Sequence, residues 1–108
     1  MRTLLWLDDI RDPHVFDITP YIPEPPDFIV WVKSEKEFEE YIVENGIPEF
    51  ISFDHDLGEG KSGKDAANFL VDYCINNNQS LPAYGSHSSN PVGKENIIKY
   101  LDQAKEYL

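Results

Sequence analysis

The sequence predicts an open, mostly parallel α/β sheet of about four strands with flanking helices. Three observations predict it. Short, nearly continuous apolar runs recur along the chain, as strands buried on both faces require. Helix-start signals separate the later runs. Three of the four runs also end directly in polar, chemistry-bearing residues, the mark of a sheet whose carboxyl edge carries a site.

The first run, Leu4 to Leu7, contains Trp6 and stops at Asp8-Asp9. The second, Phe28 to Val32, is aromatic and β-branched, and the third, Phe50 to Phe53, stops at Asp54. A weaker fourth run, Leu81 to Tyr84, precedes Gly85-Ser86. Ser34 with Glu37 forms a capping box ahead of Phe38, Tyr41 and Ile42, and Gly46 closes that helix. Ser62 with Asp65 starts a second helix with the stripe Ala66, Phe69, Leu70, Tyr73 and Cys74. Asn90-Pro91 reads as N-cap and first position of a third, continued by Ile97, Ile98 and Leu101. The order is strand, loop, strand, helix, strand, helix, strand, helix, with right-handed crossovers. Residues 12 to 27 hold Pro13, Pro20, Pro23, Pro25 and Pro26, so no regular helix longer than a turn is expected there. A lid over the site and a plain spacer are both open readings of that segment.

The 108 residues suit one domain spanning 1 to 108, with 41% apolar and 13% aromatic residues as in a globular chain. A single cysteine, Cys74, excludes an internal disulfide and a cysteine-rich zinc site, and reads as a core thiol. With no signal-peptide core and no membrane span in the sequence, a reducing, cytoplasmic setting is expected. The net charge of −11 argues against non-specific binding to nucleic acid, since few phosphate counterions could be released. It leaves room for one small phosphate, or a nucleic-acid end, held through a metal.

In an open parallel sheet, ligands bind outside the carboxyl ends of the strands. Asp8-Asp9, then Asp54-His55-Asp56, then Ser86-His87-Ser88-Ser89-Asn90 all fall there. If the first and third strands are neighbours, the carboxylates crowd together, and crowding of this kind calls for a cation. Hard oxygen donors favour Mg²⁺ or Mn²⁺. Asp8, Asp9 and Asp54 are the expected ligands. Asp54, His55 and His87 are the candidate catalytic groups, the two histidines as proton carriers. Arg11, Ser86, Ser88 and Asn90 are the candidate phosphate donors, Arg11 by bidentate pairing and the helix after Asn90 by its free amides. Gly58, Gly60 and Gly63 with Lys61 and Lys64 form a flexible loop into a helix, with Lys64 as a further group near the anion; their spacing is not that of a phosphate-binding P-loop. His14 is expected to be exposed.

L-W-L-D-D at 5 to 9, Asp54 after the third strand and Ser86 after the fourth resemble a response-regulator receiver domain. That resemblance implies a flavodoxin-like receiver fold, metal held by Asp9, Asp54 and the carbonyl of Asp56, and Asp54 as a phosphoryl acceptor. Two features depart from it: no fifth strand with the receiver lysine is visible, and the Pro-rich segment replaces the first helix. L-D-D-I-R-D-P at 7 to 13, S-F-D-H-D-L-G at 52 to 58 and H-S-S-N-P-V-G at 87 to 93 are more specifically similar to the cyclic-phosphate processing receiver domain family. That family implies a truncated receiver fold and metal-dependent processing of cyclic or terminal nucleotide or RNA phosphates, with a link to RNA repair. Three functions are therefore weighed: a metal-dependent phosphoesterase, a receiver-like signalling or binding module, and a haloacid-dehalogenase-type phosphatase suggested by D-H-D-L-G. The last is disfavoured by length. No protein partner can be read from the residues.

Overall fold

The computed structural model describes residues 2–58 and 60–108. Four strands, β1 (Thr3–Leu7), β2 (Phe28–Val32), β3 (Phe50–Phe53) and β4 (Ala83–Ser86), form one sheet in the order β2-β1-β3-β4. Every pairing is parallel, with Leu7 level with Val32 and Phe53, and Phe53 level with Ser86. β1 and β3 are thus neighbours at the centre. Three helices follow, α1 (Glu35–Asn45), α2 (Gly63–Asn76) and α3 (Pro91–Lys105). None of them is long and apolar enough to cross a membrane. β4 starts and ends two residues later than the apolar run 81–84. Its pairing partner decides this, because Phe50 to Phe53 align with Ala83 to Ser86 and Gly85 carries no side chain to mark a strand.

Side chains alternate across the sheet. Leu5, Leu7, Val32, Ile51 and Phe53 point to the face that carries all three helices, where Phe38, Ile42, Ala66, Leu70, Cys74, Ile97 and Leu101 complete the main core. Leu4 and Trp6 point to the other face. No helix covers it. The Pro-rich segment does, through Phe16, Ile18, Tyr21 and Ile22, with a single 3₁₀ turn at Thr19–Tyr21. Neither a lid nor a spacer describes the segment: it is the second wall of the domain. Trp6 lies edge-on to Tyr21 at 6.5 Å and tilted to Phe16 at 5.9 Å.

The helix starts are built as their sequences require. The Ser34 hydroxyl accepts from the Glu37 amide at 3.1 Å, Asp65 accepts from the Ser62 amide at 2.8 Å, and the Asn90 side chain accepts from the Gly93 amide at 3.1 Å. Cys74 is buried, and burial pushes its thiol pKa up, as suits an inert core residue.

Candidate metal and phosphate site

The parallel ladder continues one residue beyond the strands. The Asp8 amide donates to the Val32 carbonyl at 3.1 Å, Asp54 to Leu7 at 3.0 Å, and His87 to Phe53 at 3.1 Å. These bonds fix Asp8, Asp54 and His87 side by side on the carboxyl edge. One carboxylate oxygen from each of Asp8, Asp9 and Asp54 then lies within 4.8 Å of the others. A glycine lets α2 start against this rim: a Cβ on Gly63 would collide with the backbone carbonyl of Asp54.

Asp8 is fully buried. Its Oδ1 accepts from the amides of Ile10 and Arg11, both at 2.9 Å. Its Oδ2 accepts from Arg11 Nη1 at 3.1 Å and pairs with His87 Nε2 at 3.0 Å. Burial alone pushes the carboxyl up, but the bonds from His87, the two amides and the Arg11 side chain outweigh it and hold the pKa at about 2. Asp54 shows the opposite balance: burial first, then the charge of Asp8, pushes its carboxyl up against the pull of His87 and Arg11. Two adjacent acids in one cluster are therefore driven apart, one firmly ionised and one destabilised as an anion. Asp9 is half-buried.

His87 does not sit where a proton carrier to substrate would. Its side chain has no exposure, Nε2 meets Asp8, and Nδ1 meets the Ser52 hydroxyl at 2.7 Å. Its ring stacks on Trp6 at 3.6 Å with the planes 9° apart. Both nitrogens are committed inward, so His87 props Asp8. The expected general acid–base role is corrected on that ground.

Ser86 and Ser88 are likewise turned inward. Ser86 Oγ donates to the Phe53 carbonyl at 2.7 Å and accepts from the Ser88 amide at 3.3 Å, while Ser88 Oγ accepts from the Asn90 amide at 3.1 Å. Both are buried and shape the β4–α3 turn, and the Ser86 hydroxyl is spent on the backbone rather than offered to a phosphate. Asn90 caps α3 and also donates to Asp56 Oδ2 at 3.2 Å. Asp56 is exposed, and its side chain stands outside the three-carboxylate group, turned to His55 Nδ1 at 3.0 Å. The bond from His55, then that from Asn90, holds its carboxyl below the usual range. His55 remains partly open to solvent, its ring against Gly93, where any Cβ would strike it. Among the described residues Lys64 pairs with none of the site's acids: it meets Asn68 at 3.2 Å and lies 4.0 Å over the Tyr100 ring. His14 is exposed and pairs with Asp12.

Three contributors escaped sequence reasoning. Ser52 is the one polar residue of the third apolar run, and strand parity puts it on Trp6's face; that pattern was its signal. Trp6 read as plain core. Ser89, which accepts from Arg11 Nη2 at 3.4 Å, sits among similar polar residues and carried no signal of its own.

Residues 3–103 match the model of the family described as the Cyclic-phosphate processing Receiver domain. The chain belongs to that family. No curated protein matches it. Among solved structures, the N-terminal domain of a response regulator/sensory box/GGDEF 3-domain protein from Carboxydothermus hydrogenoformans is 18% identical, with a TM-score of 0.57 over 91% of this chain and 74% of that one. The signal receiver domain of a LuxO repressor protein from Vibrio parahaemolyticus is also 18% identical, at 0.52 over 99% and 95%. A fusion carrying a yeast Spc42 trimeric coiled-coil segment is 19% identical at 0.60; the match takes in 91% of this chain and 59% of that one, so this chain spans about three fifths of its length. These likenesses establish the receiver-like fold. In this cyclic-phosphate processing receiver domain, three carboxylates on one rim fit a hard divalent cation by donor chemistry, and no histidine or cysteine in that group argues for a softer metal.

Proposed function

We propose that the domain processes a phosphate ester with the help of Mg²⁺ or Mn²⁺, and that its substrate class is a cyclic or terminal phosphate of a nucleotide or RNA end. The observation that carries this reading is the convergence of Asp8, Asp9 and Asp54 beside the Arg11 guanidinium. Cation-holding and anion-holding groups then meet at one point, as phosphoryl chemistry requires. The family description supports the substrate class.

Asp8, Asp9 and Asp54 would hold the ion, which neutralises phosphoryl oxygens when bound. Arg11 pairs with the phosphate. His55 is the proton carrier: Asp56 fixes its Nδ1, Asn90 fixes Asp56, and the ring faces solvent at the rim. His87 and Ser52 keep Asp8 in place.

A second reading has its own support. Asp54 directly follows β3 and Ser86 ends β4, the placement of the receiver acceptor and hydroxyl, so a phosphoryl group on Asp54 in a signalling or binding module is the alternative. One experiment separates the two. The protein is incubated with Mg²⁺ or Mn²⁺ and either a nucleoside 2′,3′-cyclic phosphate or acetyl phosphate. Turnover of the cyclic phosphate that His55→Ala abolishes supports the enzyme. A base-labile adduct on Asp54 from acetyl phosphate, without turnover, supports the module. Neither product, with no metal binding, defeats both.

A further inference from the structure

Arg11 stands inside the acidic cluster. Its Nη1 lies 3.1 Å from Asp8 Oδ2 and 3.9 Å from Asp54 Oδ2. Among the described residues it is the one Lys or Arg paired with either acid. Asp8 offers about four lone-pair positions on its carboxylate. Two backbone amides, His87 and Arg11 fill these with four hydrogen bonds to the carboxylate. An ion drawing on Asp8 must therefore displace one of these donors. The amides belong to the turn itself, and His87 is sealed between Trp6 and Ser52. Arg11 is the movable partner: its side chain is 27% exposed, and its other contacts are a 3.4 Å bond to Ser89 and a 5.7 Å approach over the Phe16 ring. Its backbone stays put, because Trp6 Nε1 donates to the Arg11 carbonyl at 3.0 Å.

We infer that Arg11 is a built-in competitor of the divalent cation for Asp8 and Asp54, and that the cation releases the guanidinium to the substrate phosphate, so that metal and phosphate bind with positive coupling. The inference rests on the metal–phosphate reading above and adds its regulation. A free guanidinium suits the task because it pairs with phosphate through two parallel N–H donors. The Ser89 contact already points one nitrogen toward the turn before α3. By linkage, whatever factor phosphate adds to metal affinity, metal adds to phosphate affinity. Each ligand alone then binds weakly, and an acidic protein is spared futile loading with either.

Mg²⁺ binding reads this directly. Trp6 stacks on His87 and Trp31 Nε1 donates to the Asp8 carbonyl at 2.7 Å, so tryptophan fluorescence reports on the site, with calorimetry beside it. Wild type, Arg11→Met and Asp54→Asn are titrated with Mg²⁺, with and without inorganic phosphate. In wild type, phosphate should tighten Mg²⁺ by about tenfold. Arg11→Met should bind Mg²⁺ about tenfold tighter than wild type without phosphate and lose the phosphate effect. Unchanged or weaker Mg²⁺ binding by Arg11→Met, while wild type binds and Asp54→Asn does not, overturns the competition and leaves the metal reading intact. No Mg²⁺ binding by wild type overturns both. Should Arg11→Met fail to fold, wild type alone still decides: Arg11 is one of two arginines, and its Nε–H resonance should shift as Mg²⁺ is added. A resonance unmoved at saturation refutes the release.

Discussion

Truncating His87 tests the inward role directly. His87→Ala leaves the Ser52 hydroxyl without its partner, removes one donor from a buried carboxylate and opens a void against Trp6. Lost hydrogen bonds and the cavity together should destabilise the fold by about 3 kcal/mol, read in a urea titration followed by tryptophan emission. A loss under about 1 kcal/mol would show that the relay is not structural. Asp54→Asn should act oppositely. Burial and the neighbouring charge of Asp8 disfavour the Asp54 anion, so the neutral isostere should raise the melting temperature in metal-free buffer. The same change should shrink the stabilisation by Mg²⁺, which for a folded-state ligand at a hundred times its dissociation constant is about 2.7 kcal/mol. Equal Mg²⁺ shifts in the two proteins would remove Asp54 from the ligand set. These residues show what a sequence can and cannot say about a site. Aspartates placed after apolar runs were legible, because strand ends carry sites whatever the side-chain details. The inward turn of His87, Ser86 and Ser88 was not, because H-S-S-N reads the same whether its polar atoms face a ligand or the protein's own backbone.

At the level of elements, the β4–α3 turn is where local structure and site coincide. Asn90 caps α3 through Oδ1 and holds Asp56 through Nδ2. Asn90→Ser keeps a cap and loses the Asp56 bond; Asn90→Ala loses both. The alanine variant should be less stable than the serine variant by about 1 kcal/mol, while both should lower turnover of a cyclic phosphate to a similar degree, since His55 loses its backing in each. Activity that tracks stability instead would assign Asn90 to the cap alone. The elements themselves were largely readable. Capping residues at Ser34, Ser62 and Asn90 and the 3.6-residue apolar stripes fixed all three helices, and continuous apolar runs fixed β2 and β3 to the residue and β1 to within one, since β1 begins at Thr3. β4 was displaced because Ala83-Tyr84-Gly85-Ser86 carries little strand character and owes its place to pairing with β3. The Pro-rich segment hid its task for a related reason. Ile18, Tyr21 and Ile22 have helical spacing, but Pro20 and Pro23 allow no more than a turn there, so nothing local shows that these residues and Phe16 cover a sheet face.

For the molecule as a whole, charge sets the pH at which the fold is firmest. Asp8 is held at about 2 against an ordinary 3.8, so the stability it contributes is complete above about pH 4 and fades as the pH falls through 2. Glu35 runs the other way. It is buried at the start of α1, and burial first, then its neighbour Glu39 and the more distant Asp65, raise its carboxyl from 4.5 to about 7 against the pull of Lys61, 3.9 Å away. A folded-state pKa above the unfolded one means that the folded protein holds the extra proton between those values. Stability from Glu35 is therefore whole below about pH 4.5 and is lost as the pH rises to 7. The raised carboxyl of Asp54 adds to the same trend, and so does a net charge of −11 at pH 7, whose self-repulsion eases as carboxylates take up protons. With Asp8 eroding stability on the acid side and these terms eroding it on the neutral side, the melting temperature in metal-free buffer should peak near pH 4 to 5, below the usual range for globular domains. Glu35→Gln should flatten the decline between pH 4.5 and 7 and leave the acid limb unchanged, because the amide is neutral throughout. A melting temperature that climbs steadily from pH 4 to 7 in the wild-type protein would show that buried Glu35, with its neighbours Glu39 and Lys61, does not govern the neutral limb.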